Sequence, residues 1–494
     1  MIRYEDAVDY LETLTNYEQH HQPHAMRRIT LDRMRLLCEQ LGNPQHRFRS
    51  ILVAGTNGKG SICAMIYEIL RQAGLCVGLY TSPHLEDVRE RIRVSEAIPA
   101  RQEEWGAGGS NQESGIGAIR EGTDWITKKE FAVSIDRVRS TIEQSTGTWL
   151  GGLPTYFEVL TSAAFLHFAQ QHIDIGVLEV GLGGRLDATN IVEQAVSVIG
   201  PISLDHTDVL GHDLITVARE KAGILKPITR NGQRTTAPPR VVISAPQQPT
   251  VSVWFHRFAR AKGFRLLECG KHLFVEVKRH RPSGMEIAVE GTRGRYDTLT
   301  LPLLGRHQAG NALAAIAAVE ALTEGGVPYS AVQRGLTNVS WPGRLEVLQD
   351  RPLVLLDGAH NPQAIRALKD TLEELWPSRP THLLLGLSAD KDIAAIGNIL
   401  SPMVSSVVCT RSRHPRASDP KRLAQRLTPY FSRILAIPDV ADAYTYLLNS
   451  VSPEDVIVVT GSLFLVGELR TMVRNAQPHQ RPVKRSRPAW SGKL

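Results

Sequence analysis

Seven residues near the front of the chain restrict its fold more than any other feature. Gly55-Thr56-Asn57-Gly58-Lys59-Gly60-Ser61 follow a short apolar run at 50–54 and lead into an apolar-periodic segment, 61–73, that stops at Gly74. A glycine-rich turn between a strand and a helix belongs to a βαβ unit, whose strands are parallel and whose crossover helix covers the sheet. Residues 76–80 supply the second strand. Glycines let successive backbone N–H groups converge on phosphate oxygens at the positive end of a helix. Lys59 would reach the β- and γ-phosphates, and Ser61 a phosphate or a metal. The spacing is shorter than in G-x-x-x-x-G-K-[ST], and Gly60 separates the lysine from the serine. The alternative is a βα turn that holds no ligand.

The same grammar recurs along the chain. Residues 4–14, 31–41, 157–170, 214–225 and 308–322 read as helices, and 173–180 and 195–199 as strands. Trp341-Pro342-Gly343 breaks the pattern, which restarts with strands at 353–356, 382–387, 404–410 and 456–460. A chain of 494 residues suits two or three domains. We expect one domain over 1–340 and a second over 345–476, both doubly wound α/β, with a surface insertion at 103–124 and a polar interruption at 229–239. Residues 477–494 hold five Lys or Arg and no acid, so most of the net charge of +7 sits in a tail expected to be disordered. That leaves little support for a nucleic-acid-binding body, beyond a weak polyanion contact in the tail. No apolar run approaches the ~18 residues of a membrane span. The first thirty residues carry five acids, unlike a secretory signal. Five dispersed cysteines without C-x-x-C spacing fit neither a disulfide framework nor a zinc site. A cytoplasmic protein is expected.

Other chemistry-bearing residues sit where strands end. Glu179 closes the apolar run 175–180, where a ligand for Mg²⁺ would face a nucleotide crevice; it could equally be a structural acid paired with Arg185. His206 stands in Asp205-His206-Thr207-Asp208, and either a structural or a functional role fits it. Glu220-Lys221, in the helical stretch 214–225, reads on its own as a solvated helix face. Asp357-Gly358-Ala359-His360-Asn361-Pro362 follows the strand 353–356 and describes either a second crevice site or an Asn-Pro turn. Arg344, just past the break, could reach phosphates or lie on the surface.

Taken together these residues resemble the folylpolyglutamate synthase/dihydrofolate synthase family of the Mur ligase superfamily. The resemblance is carried by 55–61, Thr81-Ser82-Pro83-His84-Leu85, Arg89-Glu90-Arg91-Ile92-Arg93-Val94, Thr155-Tyr156-Phe157-Glu158 and 178–190. It continues through 204–207, 220–224, His307-Gln308 with Asn311-Ala312, Trp341-Pro342-Gly343-Arg344, 357–362 and Thr460-Gly461-Ser462. It implies a Mur-ligase-like P-loop domain, with a parallel sheet flanked by helices, and a smaller doubly wound α/β domain. By resemblance, Gly55 to Ser61 hold the ATP phosphates, Asn311 meets the adenine, Arg344 the phosphates, and Asp357 and His360 the nucleotide from the second domain. Ser82, Glu179 and His206 match Mg²⁺ ligands, and Lys221 matches a lysine that carries a carbamate for a second Mg²⁺, which overturns its surface reading. Thr155, Phe157, Leu186, Asp187 and Ala188 match the pterin-receiving region, and 25–34 loosely matches a further pterin contact. Residues 229–300 match nothing in the pattern.

The activity implied is ATP-dependent ligation of L-glutamate to a folate or dihydropteroate carboxylate through an acyl phosphate, by a monomer. Lys59, His206 and Lys221 would be the catalytic set. Polyglutamylation alone is one alternative, and a nucleotide-binding switch is another. A Mur ligase acting on a UDP-linked substrate would need a dedicated UDP-binding domain ahead of Gly55, for which few residues are available.

Overall fold

The computed structural model describes residues 2–20, 22–26, 29–95, 124–145, 149, 152–226, 229–230, 233–234, 240–323 and 326–476. Of the 103–124 segment only Asp124 is among them, of 229–239 only four residues, and the 477–494 tail lies outside.

The first half is built on seven strands. They are β1 (Arg49–Ala54), β2 (Val77–Tyr80), β3 (Ile92–Val94), β4 (Ile175–Glu179), β5 (Gln194–Ile199), β8 (Val241–Ser244) and β9 (Arg265–Glu268). Between β5 and β8, β6 (Thr229–Arg230) and β7 (Gln233–Arg234) form a separate two-stranded ladder. The main sheet runs β3-β2-β4-β1-β5-β8-β9, and every pairing is parallel except β2 with β3 at the edge. The central strands are buried apart from exposed Arg49 and half-buried Ala195, as apolar runs require of a sheet covered on both faces. β1 lies between β4 and β5, strands that come later in the chain. The order of strands therefore reverses at β1, and a crevice opens beyond its carboxyl end.

The helix Lys59–Gln72 leaves that crevice and is buried nearly all round, between the sheet and the helices Arg306–Leu322 and Tyr329–Asn338. On the other face, Tyr156–Gln170 starts from a capping box. Thr155 accepts the Glu158 N–H at 3.3 Å, and the Glu158 carboxylate accepts the Thr155 N–H at 2.8 Å. Phe165 on this helix is fully buried against Phe48.

A second half carries six strands: β13 (Glu346–Asp350), β14 (Leu353–Leu356), β15 (Thr381–Leu385), β16 (Val404–Cys409), β17 (Ile434–Ala436) and β18 (Val456–Thr460). Their order is β13-β14-β18-β15-β16-β17, parallel except for β13 at one edge. Asn361 caps the helix Pro362–Leu375 by accepting the Ala364 N–H at 2.9 Å, so the Asn-Pro pair starts a helix.

The structure adds an element that the alternating pattern does not foresee. β10 (Phe274–Arg281), β11 (Gly284–Glu290) and β12 (Arg295–Leu301) form an antiparallel sheet. It buries Met285, Ile287, Val289 and Leu299 in the same core as the Ala-rich helix. Its β11–β12 turn passes through Gly291 and Gly294 and lies away from the strand ends that meet in the crevice. All five cysteines are free thiols, and among the described residues no helix is long and apolar enough to cross a membrane.

Phe165→Ala removes a fully buried ring from the first core and is expected to cost about 3–5 kcal/mol. An unchanged midpoint in denaturant unfolding, followed by far-UV circular dichroism, would contradict this packing.

Candidate active site

The loop 55–61 leaves β1 at the crevice, and the helix Lys59–Gln72 points its N-terminus at it. Gly58 has φ +79°, and a Cβ there would stand 2.6 Å from Asn311 Oδ1, so only glycine fits. Asn311 is buried beneath the loop, and its amide donates to Gln308 Oε1 at 2.9 Å while Gln308 donates to Ser61 Oγ at 3.3 Å. Lys59 Nζ donates to the Gly55 and Thr56 carbonyls at 3.2 and 3.3 Å.

Two further groups face this lysine. Glu179, at the end of β4, is buried, and its Oε2 accepts the Ser82 N–H at 3.1 Å. Burial raises its carboxyl pKa, against the pull of Lys59, the Ser82 N–H and Arg344. Arg185 pairs instead with Glu220, at 3.0 Å, so Glu179 is not the partner of that arginine. Lys221 is buried, with Nζ donating to Gly55 O at 2.9 Å. Burial and then the charge of Lys59 lower its ammonium to about 7. The surface reading of Lys221 is therefore wrong, because the helix Leu214–Ala222 turns that side chain inward, while Glu220 stays half-buried and pairs with Arg185.

Asp205 carries this line of charge into the second half. It accepts from Lys391 Nζ at 2.6 Å and from Asn361 Nδ2 at 3.2 Å, and His360 Nε2 lies 3.4 Å away. Burial alone would raise its carboxyl; His360, His206 and Lys391 hold it well below the usual range. His206 has φ +49°, an uncommon conformation for a non-glycine residue. Burial lowers its imidazole to about 3, so the ring is neutral at neutral pH.

Asn57 and Asn361 bond directly across the two halves. Asn361 Nδ2 donates to Asn57 Oδ1 at 2.9 Å, and Asn57 Nδ2 donates to Gln363 Oε1 at 2.7 Å. Asp357 is buried at the end of β14, accepting the Leu345 N–H at 2.9 Å and the Ala359 N–H at 2.8 Å. Burial raises its carboxyl, with Arg344 pulling the other way. Arg344 thus faces Glu179 from one half and Asp357 from the other.

Beside this seam lies a cavity of ≈ 350 Å³, more apolar than polar. Thr155, Phe157, Leu186, Asp187 and Ala188 all line it, with Met26, Ile29 and Leu31 from the front of the chain. Asp187 is buried and its carboxyl is raised by that burial; it accepts the Leu182 and Thr189 N–H groups at 3.0 Å each. The opposite wall comes from the second half, through His360, Ser388, Lys391, Arg416 and Phe464. Asp205, Lys391, Arg416 and Asn361 were not singled out from the sequence. The signal was present, since Ser388-Ala389-Asp390-Lys391-Asp392 is a polar loop at the end of a parallel strand, as Glu179 and Asp357 are.

The residues present suit a divalent cation. Glu179 offers a buried carboxylate only partly neutralised by its neighbours, Ser82, whose N–H it accepts, carries a hydroxyl, and His206 offers a neutral imidazole. Among the described residues, no three His, Cys, Asp or Glu side chains are grouped to hold a metal by themselves. Such an ion would need oxygens from a nucleotide and water as well.

A glycine-rich loop on one parallel sheet, met across a seam by the strand ends of a second, is matched by the domains of the Mur ligases. Residues 133–319 match the Mur ligase middle domain, and 343–463 the Mur ligase glutamate ligase domain. The dihydrofolate synthase/folylpolyglutamate synthase of Bacillus subtilis is 31% identical over 90% of this chain and 95% of its own length. A solved structure of Mycobacterium tuberculosis folylpolyglutamate synthase complexed with ADP superposes with a TM-score of 0.80, at 30% identity over 97% of this chain and 99% of that one. An E. coli relative solved with DHPP and ADP gives a TM-score of 0.78, at 28% identity over 96% and 99% of the two chains. The chain belongs to the folylpolyglutamate synthase/dihydrofolate synthase family.

Asp205→Ala strips Lys391 and Asn361 of a shared buried acceptor. It is expected to lower kcat/KM about 10-fold or more, equivalent to roughly 1.4 kcal/mol, while the purified variant keeps its far-UV circular dichroism. A folded variant with parental kinetics would remove Asp205 from the seam's function.

Proposed function

We propose that this protein joins L-glutamate to the carboxylate of a folate or dihydropteroate, cleaving ATP to ADP and phosphate. The observation that carries the reading is the pairing of Asn57 with Asn361 and Gln363. It sets the phosphate loop under the turn of the second half, beside a cavity walled by both.

An acceptor carboxylate attacks the γ-phosphorus, giving an acyl phosphate and ADP. The glutamate amine then adds to the acyl carbon, and the tetrahedral intermediate expels phosphate. The acceptor and the triphosphate are both anions, so their approach needs positive charge around them. Lys59 and the helix N-terminus supply it from below and Arg344 from the side, where burial strengthens each interaction. Mg²⁺ bound by Ser82, Glu179 and His206 would add charge neutralisation and orient the phosphates. Lys221, buried and with a lowered pKa, is suited to carry a carbamate: its neutral amine adds CO2 and loses a proton, which makes an oxygen ligand for a second Mg²⁺. Asn311, buried beneath the loop, would meet the adenine, and Asp357 and His360 the nucleotide from the second half. Closing the cleft excludes the water that would hydrolyse the acyl phosphate.

The apolar stretch of the cavity, from Phe157 to Leu186 and Ala188, suits a flat heteroaromatic ring, and Asp187 suits the ring's N–H groups. The opposite wall, with Lys391 and Arg416, suits the carboxylates of the incoming glutamate. One chain builds both walls, which supports a monomer working as two bodies divided near 340. Five free thiols suit a reducing cytoplasm. The lining suits either acceptor, and the Bacillus subtilis, Mycobacterium tuberculosis and Escherichia coli relatives are named for both activities. Polyglutamylation alone stays as a second reading, because the Lacticaseibacillus casei relative, 32% identical, is named only folylpolyglutamate synthase.

Purified protein given ATP, Mg²⁺, glutamate and dihydropteroate is expected to form dihydrofolate, resolved by liquid chromatography. Tail extension of tetrahydrofolate without that product would leave only the second reading. ADP release that needs neither acceptor nor glutamate would sink ligation itself. Lys59→Ala is expected to lose on the order of 100- to 1,000-fold in kcat with its fold intact. Lys221→Ala is expected to lose activity that formate or acetate partly restores, and a fully active variant would end the carbamate assignment.

A further inference from the structure

We propose that Arg470, outside the cleft, is a positioning residue that sets both Ser82 and Arg344 for the nucleotide. It lies on the helix Leu463–Ala476 of the second half and is buried. Its Nε donates to Glu346 Oε1 and Oε2 at 2.9 and 3.1 Å, and its Nη1 donates to Glu86 Oε1 at 2.9 Å. Each carboxylate sits on a segment that ends in the active site.

Glu346 opens β13, and its Oε2 also accepts the Gly343 N–H at 2.9 Å, one residue before Arg344. Arg344 Nη1 donates to the Gly343 carbonyl at 3.3 Å and lies against Gly358, where a Cβ would stand 2.5 Å from it. Glu86 follows Ser82 by four residues, in a segment with few ways to bend. The Leu85, Glu86 and Asp87 N–H groups all donate to the Glu90 carboxylate at 2.8 Å, while Ser82 N–H is tied to Glu179. Leu85 packs into the core of the second half, and Gly467 makes room for it: a Cβ there would collide with the Leu85 carbonyl oxygen. One face of the last helix therefore presses on the Ser82 loop while Arg470 holds that loop and the linker together.

Only a guanidinium meets this demand. Its planar fork bonds one carboxylate through Nε and another through Nη1, in fixed directions that an ammonium cannot reproduce. Without it, Glu346 loses the guanidinium that faces it while Glu86 keeps Arg474, whose Nη1 lies 3.5 Å from its Oε2, so the tie between the loop and the linker is lost. Arg470 acts through Ser82 and Arg344 and touches no substrate. The inference rests on the nucleotide reading above.

The test uses the full-length protein and the variants Arg470→Lys and Arg470→Met. ADP with Mg²⁺ is titrated by calorimetry, the KM values for ATP and for glutamate are measured separately, and Tm is recorded. Displacements of about 1 Å near reacting groups cost up to about 100-fold. Both variants are expected to bind ADP roughly 10- to 100-fold more weakly and to show a matching rise in KM for ATP, with KM for glutamate little changed. Glu86→Gln alone, which leaves Arg470 in place and weakens its hold on the Ser82 loop, is expected to show a smaller loss of the same kind. Folded variants with parental ADP affinity, or a lowered Tm with nucleotide parameters untouched, would overturn the proposal. Should Arg470→Met fail to fold, Arg470→Lys and Glu86→Gln alone decide between these outcomes. A parent protein that does not bind ADP would instead bring down the nucleotide reading, and this inference with it.

Discussion

Polar groups taken out of water must find partners, and in this molecule they find them across the boundary between two halves. Asn57 belongs to a phosphate loop and Asn361 to a helix cap, yet each completes its hydrogen bonding with the other. Asp205 needs Lys391 and Asn361 in the same way. A small rotation of one half would leave several buried groups unsatisfied at once, each at a cost of about 1–3 kcal/mol. The seam is thus specified by directional bonds as well as by the apolar packing of Leu85 and Leu304 into the second half.

The same economy appears in the charges. Lys59, Lys221 and Arg344 cluster where a polyanion would bind, and Glu179, Asp187 and Asp357 are all pushed toward protonation by burial. Such a site carries electrostatic cost in its own right, and under the proposed reading a cation-bearing triphosphate would relieve it. The cavity proposed to take the pterin is different in kind. It is largely apolar, holds its shape through the capping box of Thr155 and Glu158, and would bind by contact and exclusion of water.

Much of this was legible in the sequence, because the strongest signals are local. The strand, loop and helix at 50–72 follow from glycines between two apolar runs, and Glu179 and Asp357 announce themselves by ending apolar strands. Other features depend on what folds against them. Lys221 looks solvated until the helix Leu214–Ala222 is docked, since an isolated Glu-Lys pair carries no record of which side faces the core. Asp205 sits beside His206 and draws no notice until Lys391 arrives from far along the chain. The three-stranded sheet over 274–301 went unseen for another reason. Its outer strand is half-exposed with a run of Lys, Arg and His, a weak period-two signal, although Pro282-Ser283-Gly284 and Gly291 to Gly294 mark its two turns.

That small sheet has a practical use. Its turn at Gly294 looks out on open space, with no atom within 4 Å of where a side chain would begin, and it is anchored through β11 and β12 to the rigid core of the first half. A fluorophore grafted at Gly294, paired with a second dye at exposed Tyr446 on the other half, would report the distance between the two bodies during turnover. Neither dye would touch the chemistry, so opening and closing could be timed directly, one molecule at a time.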